Sequence, residues 1–326
     1  MIRSKFVSWL ACAAGLAIPI AGFAQNKPKI VVVTHGQVSD PFWNVVHQGV
    51  LQAAKDADCT AEYRAPEKFD MVSLSQAIDA AVASKPDGLV VSIPDPEALS
   101  PSIQRAVDAG IPVIAINSGL DAAKKLKTKM FVGQEQLVVS RKVGEEFKKM
   151  GVKKIACLNQ EVGNTALDER AKGLAEGFGG KVDVVAVPQD FTECRNAVSG
   201  YLQKNPDVDA LMALGPVAAE PALQALQDGG KIGKVKLATF DLTPTVLQAI
   251  DKKEIEFAVD QQEYLQGYLP VVLLANYSRY GLMPANEVIR AGETFITSQD
   301  AKRVIELSKK RNPQGRIFGT GASGGF

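Results

Sequence analysis

Residues 89–117 read LVVSIPDPEALSPSIQRAVDAGIPVIAIN and contain the repeating unit that decides the fold. The apolar run at 89–93 is typical of a strand that is buried on both faces of a sheet. Pro94-Asp95-Pro96 then breaks the chain before a helical stretch, which ends at Gly110. A second apolar run at 111–116 predicts the next strand. One helix between two such strands predicts a parallel pair joined by a crossover.

The same alternation starts at KIVVVT, residues 29–34, and starts again at residue 154. Two series of strand–helix units predict an α/β protein with two doubly wound parallel-sheet lobes. Further strands are predicted at 60–63, 154–158, 182–187, 210–214, 236–240 and 256–260, and helices at 42–56, 71–84, 165–178, 192–204, 218–228, 263–280 and 299–310.

The first 24 residues differ from the rest of the chain. Arg3 and Lys5 give a positive start, an apolar run follows at 6–20, and Gly22 and Ala24 are small residues at the end. This pattern predicts a secretory signal peptide that is cleaved after Ala24, and hence a periplasmic protein. A membrane anchor is the alternative, but the apolar run is short for one.

Composition excludes several classes of function. The chain has 37 basic and 36 acidic residues, and this near-neutral charge argues against a nucleic-acid partner. His35 and His47 are the only histidines and no CxxC pair occurs, so no metal site is expected. No GxGxxG follows the first strand and no P-loop is present. We therefore expect no cofactor and no enzymatic activity.

Three cysteines follow the predicted cleavage site, namely Cys59, Cys157 and Cys194. Export permits a disulfide. Cys157 and Cys194 both fall in the second series of units, so they are the favoured pair. Three buried thiols are equally consistent with the sequence.

Candidate binding residues follow the predicted strands, because the carboxyl ends of parallel strands share one rim of a sheet. Aromatic rings stack on the apolar faces of a sugar, and polar side chains satisfy its hydroxyls. Rings at these positions are Phe42, Trp43 and Phe191; polar groups are Asp40, Asn117, Arg170, Asp241 and Gln261.

Each of these residues also has a purely structural interpretation. Phe42 and Trp43 are consistent with ordinary packing between a helix and a sheet. Asp40 and Asp241 are consistent with helix caps. Arg170 is consistent with a surface ion pair to an acidic neighbour. The argument for a site is their common placement at strand ends.

Four segments resemble one known family: DPFW at 40–43, DAGIPVIAIN at 108–117, LDERAKG at 167–173 and FDLTP at 240–244. They are similar to the periplasmic ribose-binding and related sugar-binding proteins of ABC importers, over residues 29–295. The resemblance implies a type I periplasmic binding protein fold, whose two lobes are joined by a three-segment hinge. Its implied lobes are 25–133 with 262–291, and 134–261 with 292–326. The chain would cross between them near 133–134, 261–262 and 291–295.

The resemblance also assigns roles within the pocket. Asp40 corresponds to a first-lobe hydrogen-bonding residue, Phe42 and Trp43 to an aromatic pair, and Phe191 to an opposing ring. Arg170 corresponds to the ligand-binding arginine, Asp241 to the second-lobe carboxylate, and Gln261 to a glutamine near the hinge. Two departures stand out: Asn117-Ser118 replaces an Asp-Arg pair, and Gly215-Pro216 replaces Asn-Asp. The expected ligand is thus a pentose, a hexose or a polyol rather than ribose in particular.

The expected function is a monomeric, periplasmic solute-binding component that closes around a sugar or polyol and delivers it to the permease subunits of an ABC importer. Solute reporting to a chemoreceptor or sensor kinase is the alternative, and both roles are compatible. A sugar-responsive repressor shares this fold, but it would need a helix-turn-helix where the export signal lies.

Overall fold

A computed structural model describes residues 27–37 and 40–311, with side chains to residue 308. The predicted signal peptide lies outside these residues. Within them the chain forms two six-stranded sheets with helices on both faces, which confirms the predicted α/β fold with two doubly wound lobes.

The first sheet is entirely parallel and has the strand order β11-β5-β4-β3-β1-β2. We call this sheet and the helices around it the first lobe. Its strands are β1 (Lys29–Val33), β2 (Thr60–Arg64), β3 (Gly88–Ser92), β4 (Val113–Ile116), β5 (Met130–Gly133) and β11 (Val288–Arg290). Its helices are α1 (Pro41–Asp56), α2 (Met71–Ala83), α3 (Pro96–Asp108), α4 (Leu120–Lys125) and α10 (Glu263–Tyr280).

The second sheet has the order β12-β10-β9-β8-β6-β7 and is parallel except for β12, which runs antiparallel to β10. This sheet and its helices form the second lobe. Its strands are β6 (Lys154–Asn159), β7 (Lys181–Ala186), β8 (Ala210–Ala213), β9 (Lys236–Phe240), β10 (Phe257–Asp260) and β12 (Thr294–Thr297). Its helices are α5 (Gln136–Lys149), α6 (Thr165–Phe178), α7 (Phe191–Lys204), α8 (Pro216–Asp228), α9 (Pro244–Asp251) and α11 (Ala301–Arg311).

Both sheets are covered on both faces, which explains why their central strands are continuously apolar. In β1, Ile30 and Val32 join one apolar cluster with α1 and α10, whereas Val31 and Val33 join another with α2 and α3. In the second lobe, Ala156 and Leu158 of β6 face the cluster of α7, α8 and α9. The alternate residues of the same strand, Ile155 and Cys157, face α5 and α6.

The helix α10 returns to the first lobe, where it packs directly against α1. Two glycines allow their backbones to touch: a Cβ at Gly49 would lie 2.2 Å from the carbonyl oxygen of Tyr264, and one at Gly267 would lie 2.0 Å from that of Val46. The chain passes between the sheets at three places, from β5 to α5, from β10 to α10 and from β11 to β12. The residue boundaries of the lobes stay a prediction.

The favoured disulfide between Cys157 and Cys194 is wrong, because both residues are free and buried, as is Cys59. Cys157 points to the face of the second sheet that packs against α5 and α6. Cys194 lies in α7, in the cluster on the opposite face. The sheet therefore separates the two thiols. Within the described residues, no helix has the length and apolar character needed to cross a membrane.

Candidate ligand-binding cleft

A cleft of about 400 Å³, counting its opening to solvent, lies where the strand ends of the two lobes face each other. Its lining residues come from both lobes: His35, Asp40, Phe42, Trp43, Asn117, Gln160, Glu161, Asn164, Ala166, Leu167, Arg170, Leu214, Gly215, Pro216, Val217, Asp241 and Gln261. Seven of the eight residues predicted to bind ligand are among them, and Phe191 is not.

The aromatic wall of the cleft belongs to the first lobe. The Asp40 side chain accepts a hydrogen bond of 2.8 Å from the backbone N–H of Phe42, and this cap starts α1. Phe42 and Trp43 therefore lie on the first turn, where they line the cleft and also join the apolar core. The packing interpretation of the two rings is therefore confirmed, and their role in binding stays a prediction.

The Trp43 ring is held by two close neighbours. A Cβ at Gly36 would lie 1.6 Å from its Cδ1 atom, so only glycine leaves room for the ring. The His35 ring meets it edge-on, with 4.7 Å between centroids. Trp43 is 4 % exposed, so its position is set by packing before any ligand arrives.

His35 follows β1 and is fixed to the neighbouring strand. Its backbone N–H donates to Ser92 Oγ at 2.9 Å, and its Nδ1 lies 2.8 Å from the same oxygen. Burial, with a smaller contribution from the charge of Arg170, lowers the pKa of His35 to about 3. The ring is therefore neutral at physiological pH.

The polar wall belongs to the second lobe and centres on Arg170. This residue is 3 % exposed, so the surface ion pair considered from the sequence does not form. Its Nε donates to Gln136 Oε1 at 2.8 Å and one terminal nitrogen donates to the Leu214 carbonyl at 2.7 Å. Its guanidinium carbon lies 4.0 Å from the ring centroid of Phe240, a cation–π arrangement.

Gln136 links this arginine to the rest of the cleft. Its Nε2 lies 3.3 Å from the Asn117 carbonyl oxygen and 3.4 Å from Gln261 Oε1. Gln261 in turn donates to Asp241 Oδ1 at 2.6 Å. A chain of hydrogen bonds thus runs from Arg170 to Asp241 and touches the first lobe at Asn117.

Asn117 and Asp241 occupy matching places in the two lobes. Each follows the third strand from the edge of its sheet, β4 and β9, and each has a left-handed backbone with φ of 65° and 69°. Asn and Asp tolerate this region better than other residues with a Cβ. The conformation turns the chain so that both side chains line the cleft.

Three carboxyl groups line the cleft, and desolvation dominates their protonation. Burial raises the pKa of Asp241 to about 7, against the lowering effect of Arg170. Burial raises the pKa of Glu161 to about 7 and that of Asp40 to about 6. The charge of Asp40 adds to the rise at Glu161 and at Asp241.

The rims of the two lobes touch across the cleft. Asn164 Nδ2 lies 3.4 Å from His35 Nε2 and donates to Glu161 Oε2 at 2.7 Å. The backbone N–H and the hydroxyl of Thr165 donate to the Pro94 carbonyl at 2.9 and 3.0 Å. Gln37 of the first lobe also donates to Gln189 of the second. The lobes are therefore held together at their rims by direct hydrogen bonds.

Phe191 does not oppose the aromatic pair as the sequence predicted. Asp190 caps α7 by accepting from the Glu193 N–H at 2.9 Å, and the helix therefore starts at Phe191 with the ring 47 % exposed. The ring lines an outer chamber, which also contains Gln37, Gln189 and Glu220. The boundary between this chamber and the cleft is formed by residues that line both, namely Asp40, Glu161, Pro216 and Val217.

The sequence interpretation missed His35, Gln136, Gln160, Glu161 and Asn164. Four of them were within reach of the strand-end rule, because His35 is the second residue after β1 and the other three follow β6. Gln136 had no comparable signal, since it starts a helix and acts through Arg170 and Gln261. In the part of the chain that the structure describes, no group of three His, Cys, Asp or Glu residues is arranged to hold a metal.

The sequence profile of the periplasmic binding protein domain matches residues 30–281. The chain belongs to the periplasmic binding protein family. Proteins of this family bind solutes without catalysing a reaction, which agrees with the expectation of a non-enzymatic receptor.

Individual members of the periplasmic binding protein family are similar to this chain over most of its length. A xylose/arabinose-binding protein of Sulfolobus acidocaldarius is 25 % identical, over 91 % of this chain and 79 % of its own. The ribose import binding protein of Escherichia coli is 24 % identical, over 80 % and 88 %. The crystal structure of a carbohydrate transporter from Acidothermus cellulolyticus in complex with myo-inositol superposes with a TM-score of 0.83, at 32 % identity, over 87 % of this chain and 99 % of that one. The resemblance to periplasmic sugar-binding proteins of ABC importers is thus confirmed.

Proposed function

We propose that this protein captures a sugar or sugar alcohol in the cleft between its lobes, by hinge closure, and delivers it to the permease subunits of an ABC importer. The observation that carries the proposal is the composition of the cleft: aromatic rings on one side and a hydrogen-bonded polar chain on the other. Rings match the C–H faces of a sugar, and the carboxylate, amide and guanidinium groups match its hydroxyls.

The relatives support a polyhydroxylated ligand. The proteins named above bind xylose or arabinose, import ribose, or hold myo-inositol. These compounds share a ring or chain with a hydroxyl on most carbons. We propose a pentose, a hexose or a cyclitol as the ligand class. A periplasmic location and release of the mature chain by cleavage after Ala24 complete the proposal.

Contacts between the rims support closure as the mechanism. Thr165 and Asn164 start α6 in the second lobe and bond to Pro94 and His35 of the first. These contacts hold the two lobes together beside the cleft, and breaking them would separate its walls. Binding would therefore shift the protein from an open state to this arrangement. We propose that the permease receives the closed pair of lobes.

Tryptophan fluorescence tests the ligand site directly. Trp9 lies in the predicted signal peptide, so Trp43 is the only tryptophan of residues 25–326. We expect one compound among pentoses, hexoses and cyclitols to change the emission of the mature protein with saturation. Trp43→Phe serves as the control: it removes the signal, while calorimetry still detects binding. Saturable binding in the calorimeter with no change in emission would place the ligand elsewhere.

Small-angle scattering tests closure separately. We expect the radius of gyration of the mature protein to fall when the ligand found by fluorescence is added. An unchanged radius with saturated ligand would contradict the hinge mechanism and leave the binding site intact.

A further inference from the structure

We propose that the cleft selects a sugar or cyclitol in which an amino group replaces one hydroxyl, and that it holds the ammonium between Asp40 and Glu161. This inference rests on the proposed function and specifies its ligand class.

The charges that line the cleft do not balance. Asp40, Glu161 and Asp241 supply three carboxyl groups, whereas Arg170 is the single arginine or lysine among the lining residues. Within the described residues, Arg170 has no carboxylate oxygen within 4 Å. Its hydrogen bonds go to neutral acceptors, the Gln136 side chain and the Leu214 carbonyl. The carboxyl groups therefore exceed the cations of the cleft by two.

Among the residues that the structure describes, no other basic group compensates for this excess. The His35 ring is the nearest candidate, with Nε2 at 3.7 Å from Glu161 Oε2, but its pKa is lowered to about 3 by burial and by Arg170. The remaining partners of the two carboxyl groups are neutral. Asp40 accepts from the Phe42 N–H, and Glu161 accepts from the Asn164 amide. A buried carboxylate without a cation is unfavourable unless it takes up a proton or a bound cation neutralises its charge.

Asn117 indicates independently that a polar ligand occupies this space. Its side chain lines the cleft, the residue is 7 % exposed, and the amide has no hydrogen-bond partner among residues 27–37 and 40–311. An amide that faces a cleft and has no partner within the protein is free to bond to a ligand there. Hydroxyls of the same ligand would fill this role, while its ammonium meets the carboxylates.

Asp40 and Glu161 are the pair best placed to share one cation. They come from opposite lobes and both line the boundary between the cleft and the outer chamber. Burial raises the pKa of Glu161 to about 7, and the charge of Asp40 makes a smaller contribution in the same direction. An ammonium between them would remove this repulsion and join the two lobes. The rings of Phe42 and Trp43 line the same cleft, and aromatic rings are favourable neighbours for an ammonium group.

Matched compounds test the charge preference. Each pentose, hexose and cyclitol of the fluorescence panel is compared with its amino-deoxy analogue and with the N-acetylated form of that analogue, by calorimetry on the mature protein at pH 7. The three forms share a skeleton and differ in charge and bulk. We expect the amino form of the preferred skeleton to bind about tenfold more tightly than the hydroxyl form. The N-acetyl form should lose this advantage.

Glu161→Gln tests the assigned carboxylate while keeping its size. We expect this variant to abolish the preference for the amino form, so that the ratio of the affinities for the amino and hydroxyl forms falls from about ten to about one. Glu176→Gln is the matched control, since Glu176 pairs with Arg141 on the surface of the second lobe, and it should keep the tenfold ratio.

The possible outcomes separate this inference from the proposed function. A hydroxyl form that binds as tightly as its amino analogue overturns the inference and leaves sugar capture standing. A tenfold preference that survives in Glu161→Gln overturns the assignment to Asp40 and Glu161. Failure of all compounds to bind would overturn both proposals together.

Discussion

The first lobe lines the cleft with rings that belong to its core, beside Asp40 and Asn117, whereas the second lobe lines it mainly with charged and polar groups held by hydrogen bonds. Phe42 and Trp43 are held by packing against β1, α1 and α10. Arg170 and Asp241 are held through Gln136 and Gln261. The first wall fixes the shape that a ligand must have, and the second responds to its hydrogen-bonding groups and charge. Substitutions in the two walls should consequently differ in kind.

The largest effect is expected on the packed wall. Trp43→Ala should lower the free energy of unfolding by about 3–5 kcal/mol, because it empties core volume against Gly36 and His35. Urea denaturation of the unliganded mature protein measures this change. Trp43→Phe retains a ring and should lose less than half as much. A loss below about 1 kcal/mol in Trp43→Ala would mean that the two walls do not differ in this respect.

Arg170→Gln should affect the polar wall chiefly through affinity. The variant removes a buried guanidinium that is fixed by two hydrogen bonds, and we expect ligand affinity to fall about 100-fold. Its unfolding free energy should change less than that of Trp43→Ala, since removal of a buried charge also relieves its desolvation. Calorimetry with the preferred ligand measures the affinity. The control Arg141→Gln, on the surface of α5, should bind like the wild type.

The pH dependence of stability sharpens the comparison. Burial raises the pKa of Glu161 and Asp241 to about 7, from about 4 in an unfolded chain, so the unliganded folded protein holds protons that unfolding releases. The free energy of unfolding should fall by about 1 kcal/mol as the pH rises from about 6.5 to 8. His35 acts in the other direction, because its lowered pKa costs stability only below about pH 6.5.

Chemical denaturation across this pH window measures the slope. Glu161→Gln should flatten it, whereas Glu176→Gln should not. A stability that rises between pH 6.5 and 8 would show that these carboxyl groups are ionised in the folded protein.

The smallest effect is expected outside both walls. Phe191→Ala should change the affinity for a monosaccharide or cyclitol less than twofold, because the ring lines the outer chamber and not the cleft. Phe42→Ala, the comparison within the aromatic wall, should weaken binding at least tenfold. Calorimetry of both variants with one ligand decides this. Equal losses of affinity in the two variants would indicate that Phe191 contacts the ligand, as the family resemblance implied.

Strand–helix periodicity was sufficient to predict most of the fold. Buried parallel strands such as β1 and β6 contain continuous runs of apolar residues, which few other structural contexts require. The pattern did not reveal β5, β11 and β12, which are three or four residues long, or α4 and α9, which span less than three turns. The helix α5 was also missed, although Val139, Val143 and Phe147 recur at helical spacing on its buried face.

The site was predictable as far as side chains follow strand ends. Asp40, Trp43, Asn117 and Asp241 line the cleft for this reason. Phe191 shows the limit, because its placement depends on where the Asp190 cap starts α7 rather than on the strand before it. The pairing of Cys157 with Cys194 failed because membership of one lobe does not specify the face of a sheet.

Because the backbone is left-handed at Asn117 and Asp241, engineering for stability conflicts with engineering for ligand binding at these two positions. Glycine at either position would relax the main chain and would be favoured in a search for heat resistance alone. The same exchange would delete an amide or a carboxylate from the binding surface. Libraries designed to raise the thermal stability of a biosensor built on this scaffold should therefore keep both positions constant. Stabilising substitutions should be sought elsewhere, for example on the outward faces of α2 and α7.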